Sequence, residues 1–91
     1  MIARKLRIHG TVQGVWFRDW AVRTARSLAI KGWVRNREDG TVEALAIGEP
    51  EAIERFTAAC HEGSPKSRVE RVDIEEAEAE RLDGFELRAT V

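Results

Sequence analysis

Apolar and polar positions change period along the chain, and each change marks a new element. Leu6 and Ile8 alternate with Lys5, Arg7 and His9, the pattern of a strand with one buried face. The stretch Gly10-Thr11-Val12-Gln13-Gly14-Val15-Trp16-Phe17 ends that alternation with two glycines. From Arg18 the period lengthens: Ala21, Ala25 and Leu28, with Val22 and Ala29 beside them, share one face of a helix. Asp19 falls in its first turn, where the helix dipole favours negative charge. Strands are predicted over Lys31–Arg37 and Thr41–Ile47, and the Asp39-Gly40 pair between them predicts a tight hairpin. Gly48-Glu49-Pro50 opens a second helix carrying Ile53, Phe56 and Cys60 on one face, stopped by Gly63 and Pro65. Val69, Val72 and Ile74 predict a fourth strand, and the change of parity after Val69 calls for a bulge or a late start. Phe85, Leu87 and Ala89 follow the Asp83-Gly84 turn as a short fifth strand.

The predicted order is β-α-β-β-α-β plus a terminal strand. It is the order of an α+β, ferredoxin-like sandwich, an antiparallel sheet with both helices on one face. The helices return the chain so that the first and second strands run the same way, with the third antiparallel between them. Residues 1–91 are expected to form one domain. Many unrelated activities use this fold, so it fixes no function.

Composition narrows the choice. With 43% hydrophobic and 34% charged residues the chain reads as globular rather than disordered. A net charge of -1 gives no global field to gather nucleic acid or an anionic membrane, so any bound anion needs a local site. Cys60 is the only cysteine, which rules out an internal disulfide and a cysteine-based zinc site. No apolar run is long enough for a signal peptide or a membrane span, so a cytoplasmic protein is expected; a monomer is the default expectation, which the sequence itself does not reveal.

Parity and strand direction then bring two segments together. In the second strand Gly32, Val34 and Asn36 share one face, and Trp33, Arg35 and Arg37 share the other. If Val34 points under the helices, so does Asn36, at the carboxyl end of its strand. The Gly10–Phe17 loop lies at the carboxyl end of the first strand, about 10 Å away across the intervening strand. Gly14 lets backbone approach a ligand, the helix start offers unpaired N–H groups, and Arg18 adds a planar donor fork suited to phosphate. By themselves, a glycine loop and an arginine also fit an ordinary surface turn.

The residues go further. Gly10-Thr11-Val12-Gln13-Gly14-Val15-Trp16-Phe17-Arg18 resembles the first signature of the acylphosphatase family, G-x-V-Q-G-V-x-F-R. Gly32-Trp33-Val34-Arg35-Asn36, followed by Gly40, Val42 and Gly48, is similar to its second. The resemblance implies hydrolysis of acyl phosphates without a cofactor or metal. It implies that Gln13, Gly14, Val15, Trp16, Phe17 and Arg18 hold the substrate phosphate, a place that free phosphate or sulfate would also fill. It implies that Asn36 orients the attacking water. Trp16 fills a position that varies in the family and could narrow the mouth of the loop.

Other features have plainer readings. Cys60 is expected in the core, His9 and His61 on the surface, Trp20 and Trp33 in packing or on the sheet surface, and Glu75–Arg81 as a solvated strand end and turn. The Walker phosphate motif is absent. An RNA-binding module of the same fold would want stacking aromatics on the open sheet face, where Glu43, Leu45 and Ile47 offer none. A metal-carrying module would want paired cysteines. A carbamoyl-phosphate-handling domain of a larger hydrogenase-maturation protein would be expected to continue past Val91 into zinc-binding and transferase parts.

Overall fold

In the computed structural model, which describes residues 1–91, the elements follow the predicted order. They are β1 (Ile2–Thr11), α1 (Phe17–Ser27), β2 (Lys31–Asn36), β3 (Val42–Gly48), α2 (Pro50–Glu62), β4 (Arg68–Glu76) and β5 (Phe85–Leu87). The sheet runs β4-β1-β3-β2-β5. β3 lies between β1 and β2 and is antiparallel to both, while β5 adds to β2 in parallel. No helix is long and apolar enough to cross a membrane.

The parity change in β4 is a bulge. His9 pairs with Arg71 and Gly10 with Val69, so Glu70 is the extra residue. Gly10 has φ 127°, and a Cβ there would overlap the Arg68 carbonyl oxygen; only glycine lets the two backbones come so close. The end of α1 differs from the sequence expectation. The helix stops at Ser27, and Ala29 adopts φ 57°. Ile30 N–H donates to Ala25 O and Ala29 N–H to Arg26 O, the bond pair of a Schellman motif with alanine in the glycine place. β5 is also shorter than expected and excludes Ala89, but the tail stays beside β2. Arg88 N–H donates to Val34 O and Val91 N–H to Asn36 O.

Period-two alternation sorts the sheet into two packed faces. Under the helices lie Leu6, Ile8, Val34, Val42, Ala44 and Ala46, against Phe17, Ala21 and Ala25 of α1 and Ile53, Phe56 and Cys60 of α2. The alanines of β3 leave room for the helices to sit close. The opposite face carries a smaller cluster of Ala3, Trp33, Leu45 and Ile47. Ala77 and Leu82 cover it, and Trp33 Nε1 donates to Glu80 Oε2 at 3.4 Å. The Glu75–Arg81 segment is solvated as expected except at Ala77, which packs on that face; the other six residues are exposed.

Beside that cluster sits Glu43, a carboxylate 3% exposed in the middle of the sheet. Arg35 Nε donates to its Oε1 at 2.8 Å and Arg37 Nη1 at 3.0 Å, with Arg7 and Lys5 at 3.9 and 4.0 Å from Oε2. Burial pushes the Glu43 pKa up, but the hydrogen bonds and charges of Arg35 and Arg37 outweigh it and hold the group below its ordinary value of 4.5. A depressed carboxylate pKa stabilises the fold above the unfolded-state value and loses that contribution as pH falls through the folded value. Glu43→Gln should therefore lower stability at neutral pH by on the order of 2 kcal/mol, the arginines being partly solvated. It should also flatten the loss of Tm below about pH 4.5. Thermal unfolding of both proteins between pH 3 and 7 tests this, and parallel curves would contradict it.

Candidate functional site

The loop between β1 and α1 keeps its donors free. From Gln13 to Asp19 no backbone N–H donates to a protein acceptor, and the first helical bond of α1 is Trp20 N–H to Trp16 O at 3.1 Å. Gly14 (φ 73°) and Trp16 (φ 64°) both adopt left-handed backbone, separated by Val15. Such alternation turns successive amides toward one concavity, and the α1 dipole adds its positive end there.

A cavity of about 270 Å³ opens at this place, bordered by the loop, Arg18, Asn36 and Leu87. Arg18 makes no ion pair or hydrogen bond within the protein, so its guanidinium fork is available to a ligand. The Asn36 side chain likewise bonds to no protein group, and its Oδ1 is buried without a donor. A buried amide oxygen without a partner costs about 1–3 kcal/mol, so the position favours a ligand or water that can donate to it. Asn36 reaches the helix side because Arg35 and Arg37, its neighbours in the strand, are both bound to Glu43 on the other face.

The loop is pinned to the hairpin by one side chain. Gln13 Nε2 donates to Arg37 O at 2.7 Å and to Thr41 O at 2.8 Å. Both acceptors are carbonyls, so only the amide nitrogen can make these bonds. Each carbonyl already closes the turn, through Gly40 N–H to Arg37 O and Arg37 N–H to Thr41 O, and Gln13 uses the second lone pair. Asp39 completes the turn by accepting from the Thr41 hydroxyl at 2.6 Å and the Thr41 N–H at 3.0 Å. These bonds, with the positive charges of Arg7 and Arg37, hold its carboxyl below the usual range although partial desolvation opposes them.

Of the residues named from sequence, Gly14, Trp16, Phe17, Arg18 and Asn36 border the cavity. Gln13 and Val15 do not. The Gln13 side chain serves the hairpin, and Val15 packs against the core, so both can offer a ligand only their backbone N–H. Phe17 is 1% exposed and its ring stacks at a tilt on Trp20, centroids 5.2 Å apart, which anchors the loop's end. Sequence reasoning missed Val12 and Leu87 as cavity residues, and placed Asp19 only as a helix charge although it also borders the opening. The parity of Leu87 with Phe85 was the available signal for one of them.

An arginine, a run of free amides and an unpartnered amide side chain around one small cavity can hold an oxyanion and a water. The groups whose ionisation the fold clearly shifts, Asp39, Glu43, Cys60 and Asp73, all lie outside it.

Known proteins resemble this chain along nearly its whole length. A family model described as acylphosphatase matches residues 4–87. An acylphosphatase of Acidovorax sp. (strain JS42) is 54% identical over 90 residues, which span 99% of this chain and 93% of that protein. The crystal structure of an acylphosphatase from Bacillus subtilis is similar with a TM-score of 0.93 at 36% identity, covering 97% of this chain and 99% of that one. Full-length HypF, in a phosphate- and nucleotide-bound form, contains a similar region. The TM-score there is 0.85 at 30% identity, covering 98% of this chain but 12% of that one.

Gln13→Ala should reduce stability by about 1–2 kcal/mol, since each carbonyl keeps one bond, and weaken binding of inorganic phosphate about tenfold as the loop loosens. Gln13→Glu should be worse on both counts, because it sets an acceptor-only carboxylate against two carbonyl oxygens. Thermal unfolding and calorimetric titration with phosphate give both quantities; equal affinity in all three proteins would contradict the pinning role.

Proposed function

The chain belongs to the acylphosphatase family, enzymes of acyl phosphate hydrolysis, and from that premise we propose how its residues divide the reaction. The loop amides from Gln13 to Phe17 and the guanidinium of Arg18 hold the substrate phosphate, and Asn36 places the attacking water. The observation that carries this reading is that Arg18 and the unpartnered amide of Asn36 border one cavity.

The chemistry asks for little else. An acyl phosphate is a mixed anhydride whose leaving group is a carboxylate, too weak a base to need a general acid. A water hydrogen-bonded to Asn36 Oδ1 directs a lone pair at phosphorus, in line with the acyl oxygen. The new P–O bond forms as the bond from phosphorus to the acyl oxygen breaks, and that electron pair leaves on the carboxylate. The proton of the water passes to a phosphate oxygen, giving a carboxylate and inorganic phosphate. Amides and Arg18 stabilise charge on the equatorial oxygens throughout. The step passes through no covalent enzyme intermediate and calls for no metal ion.

The same reading takes residues 1–91 as one domain working as a cytoplasmic monomer. Cys60 offers no covalent route: burial pushes the pKa of its thiol up to about 12, so it is neither a nucleophile nor easily oxidised.

With benzoyl phosphate as substrate, Arg18→Ala should lower kcat/KM by about 10²–10³-fold and weaken inhibition by phosphate in parallel. Asn36→Ala should lower kcat by about 10²-fold while KM and phosphate inhibition change little. Steady-state kinetics separate the two roles. An Asn36 variant with full kcat would remove the water-placing role, and a folded wild-type protein without turnover would remove the catalytic reading altogether.

A further inference from the structure

Few large hydrophobic side chains are exposed on this protein: Met1, Trp16, Ile74, Leu87 and Val91. Two of them, Trp16 at 71% and Leu87 at 46% exposure, border the cavity that also holds Arg18 and Asn36. Neither belongs to the buried core clusters. Leu87 follows the parity of Phe85, which is buried beneath the helices, and pairs in register with Val34, two residues before Asn36. It therefore faces the helix side of the sheet, where it meets the cavity instead of the core.

Trp16 stands in a place that backbone considerations alone would give to glycine. With φ 64° it adopts the left-handed conformation at a cost of about 1–2 kcal/mol, in a loop whose other left-handed residue is Gly14. The amide arrangement needs that backbone; it does not need an indole. The side chain gains no burial in return, since it lies open at the edge of the cavity. An exposed aromatic held in a strained loop beside an anion site has a function to explain it, and apolar surface at a cavity mouth is the ordinary means of fixing the body of a small ligand.

We propose that Trp16 and Leu87 form an apolar rim that receives the acyl group, so that this enzyme prefers acyl phosphates with an uncharged, apolar and planar acyl part. The inference rests on the assignment of the phosphate to the loop amides and Arg18. With the phosphate held inside and the water at Asn36, the acyl group is the part of the substrate left to project toward the mouth. Trp16 offers an aromatic face there and Leu87 an aliphatic one. Asp19, exposed at the same opening, disfavours acyl groups that carry a second negative charge. Arg18, engaged by the phosphate, leaves no other cation on the cavity wall to offset it.

The test is a ratio, kcat/KM for benzoyl phosphate over kcat/KM for acetyl phosphate, which cancels general damage to the loop. Trp16→Gly keeps the left-handed backbone accessible and removes the indole, and should lower the ratio on the order of tenfold. Trp16→Phe should restore most of it. Leu87→Ala should lower the ratio several-fold; Leu87 belongs to β5 and not to the loop, so this variant keeps the test readable if Trp16→Gly loses turnover. Ratios within twofold of wild type in the active variants would overturn the rim and leave the catalytic reading standing. A wild-type protein that hydrolyses neither compound would overturn the catalytic reading first, and the rim with it.

Discussion

Two hydrogen bonds from one amide nitrogen, Gln13 Nε2 to Arg37 O and Thr41 O, join the halves of the site. No other hydrogen bond links the loop to the β2–β3 hairpin. The loop alone is a strained run of unpaired amides, and the hairpin alone is a turn with an unpartnered asparagine at its base. An oxyanion site requires its donors to be fixed before the anion arrives, because ordering them afterwards subtracts from affinity. Gln13 supplies that order at the cost of one side chain, using lone pairs that the hairpin's own bonds leave open. A glutamine suits this place because its amide nitrogen can donate both of its protons, one to each carbonyl.

The hairpin is held from the other side of the sheet as well. Glu43 binds Arg35 and Arg37 on the face away from the helices, and alternation then leaves Asn36 on the helix face. A buried carboxylate is an expensive way to stabilise a sheet when compared with an apolar residue. Its effect here is directional. It fixes the face on which each of three consecutive side chains lies, and the middle one borders the cavity. Trp33 extends the arrangement, with the Arg35 guanidinium 4.5 Å and that of Arg88 5.1 Å from its ring centroid.

The elements and their order were legible because each is marked by a period and by punctuation at its ends. The bulge in β4 was legible as a parity error between Val69 and Val72. The end of α1 was less so, since Ala29 occupies a left-handed position where glycine would have announced the stop. The placing of Arg18 and Asn36 around one cavity followed from strand direction and parity, which need no side-chain detail. The pinning by Gln13 did not follow. A glutamine beside a glycine in a phosphate-type loop reads as a ligand donor, and only the three-dimensional path of the hairpin brings two carbonyls within its reach. The cover on the back face was hidden for a similar reason: in Glu75–Arg81 the charged residues dominate the pattern, while Ala77 and then Leu82 do the packing.

The division between the site and the titrating groups has a consequence for how pH acts on this enzyme. A site that relied on a tuned acid or base would place a shifted group in the cavity. Here the shifted carboxylates lie in the supporting structure, Glu43 behind the hairpin and Asp39 within its turn. Both are depressed, so both lose their contribution as pH falls through their folded values. Asp39 accepts two bonds from Thr41, and the Thr41 carbonyl accepts one from Gln13. Protonation in the turn is thus transmitted to the loop through a chain of three residues. Low pH therefore weakens the two carboxylates that support the hairpin to which Gln13 is bonded.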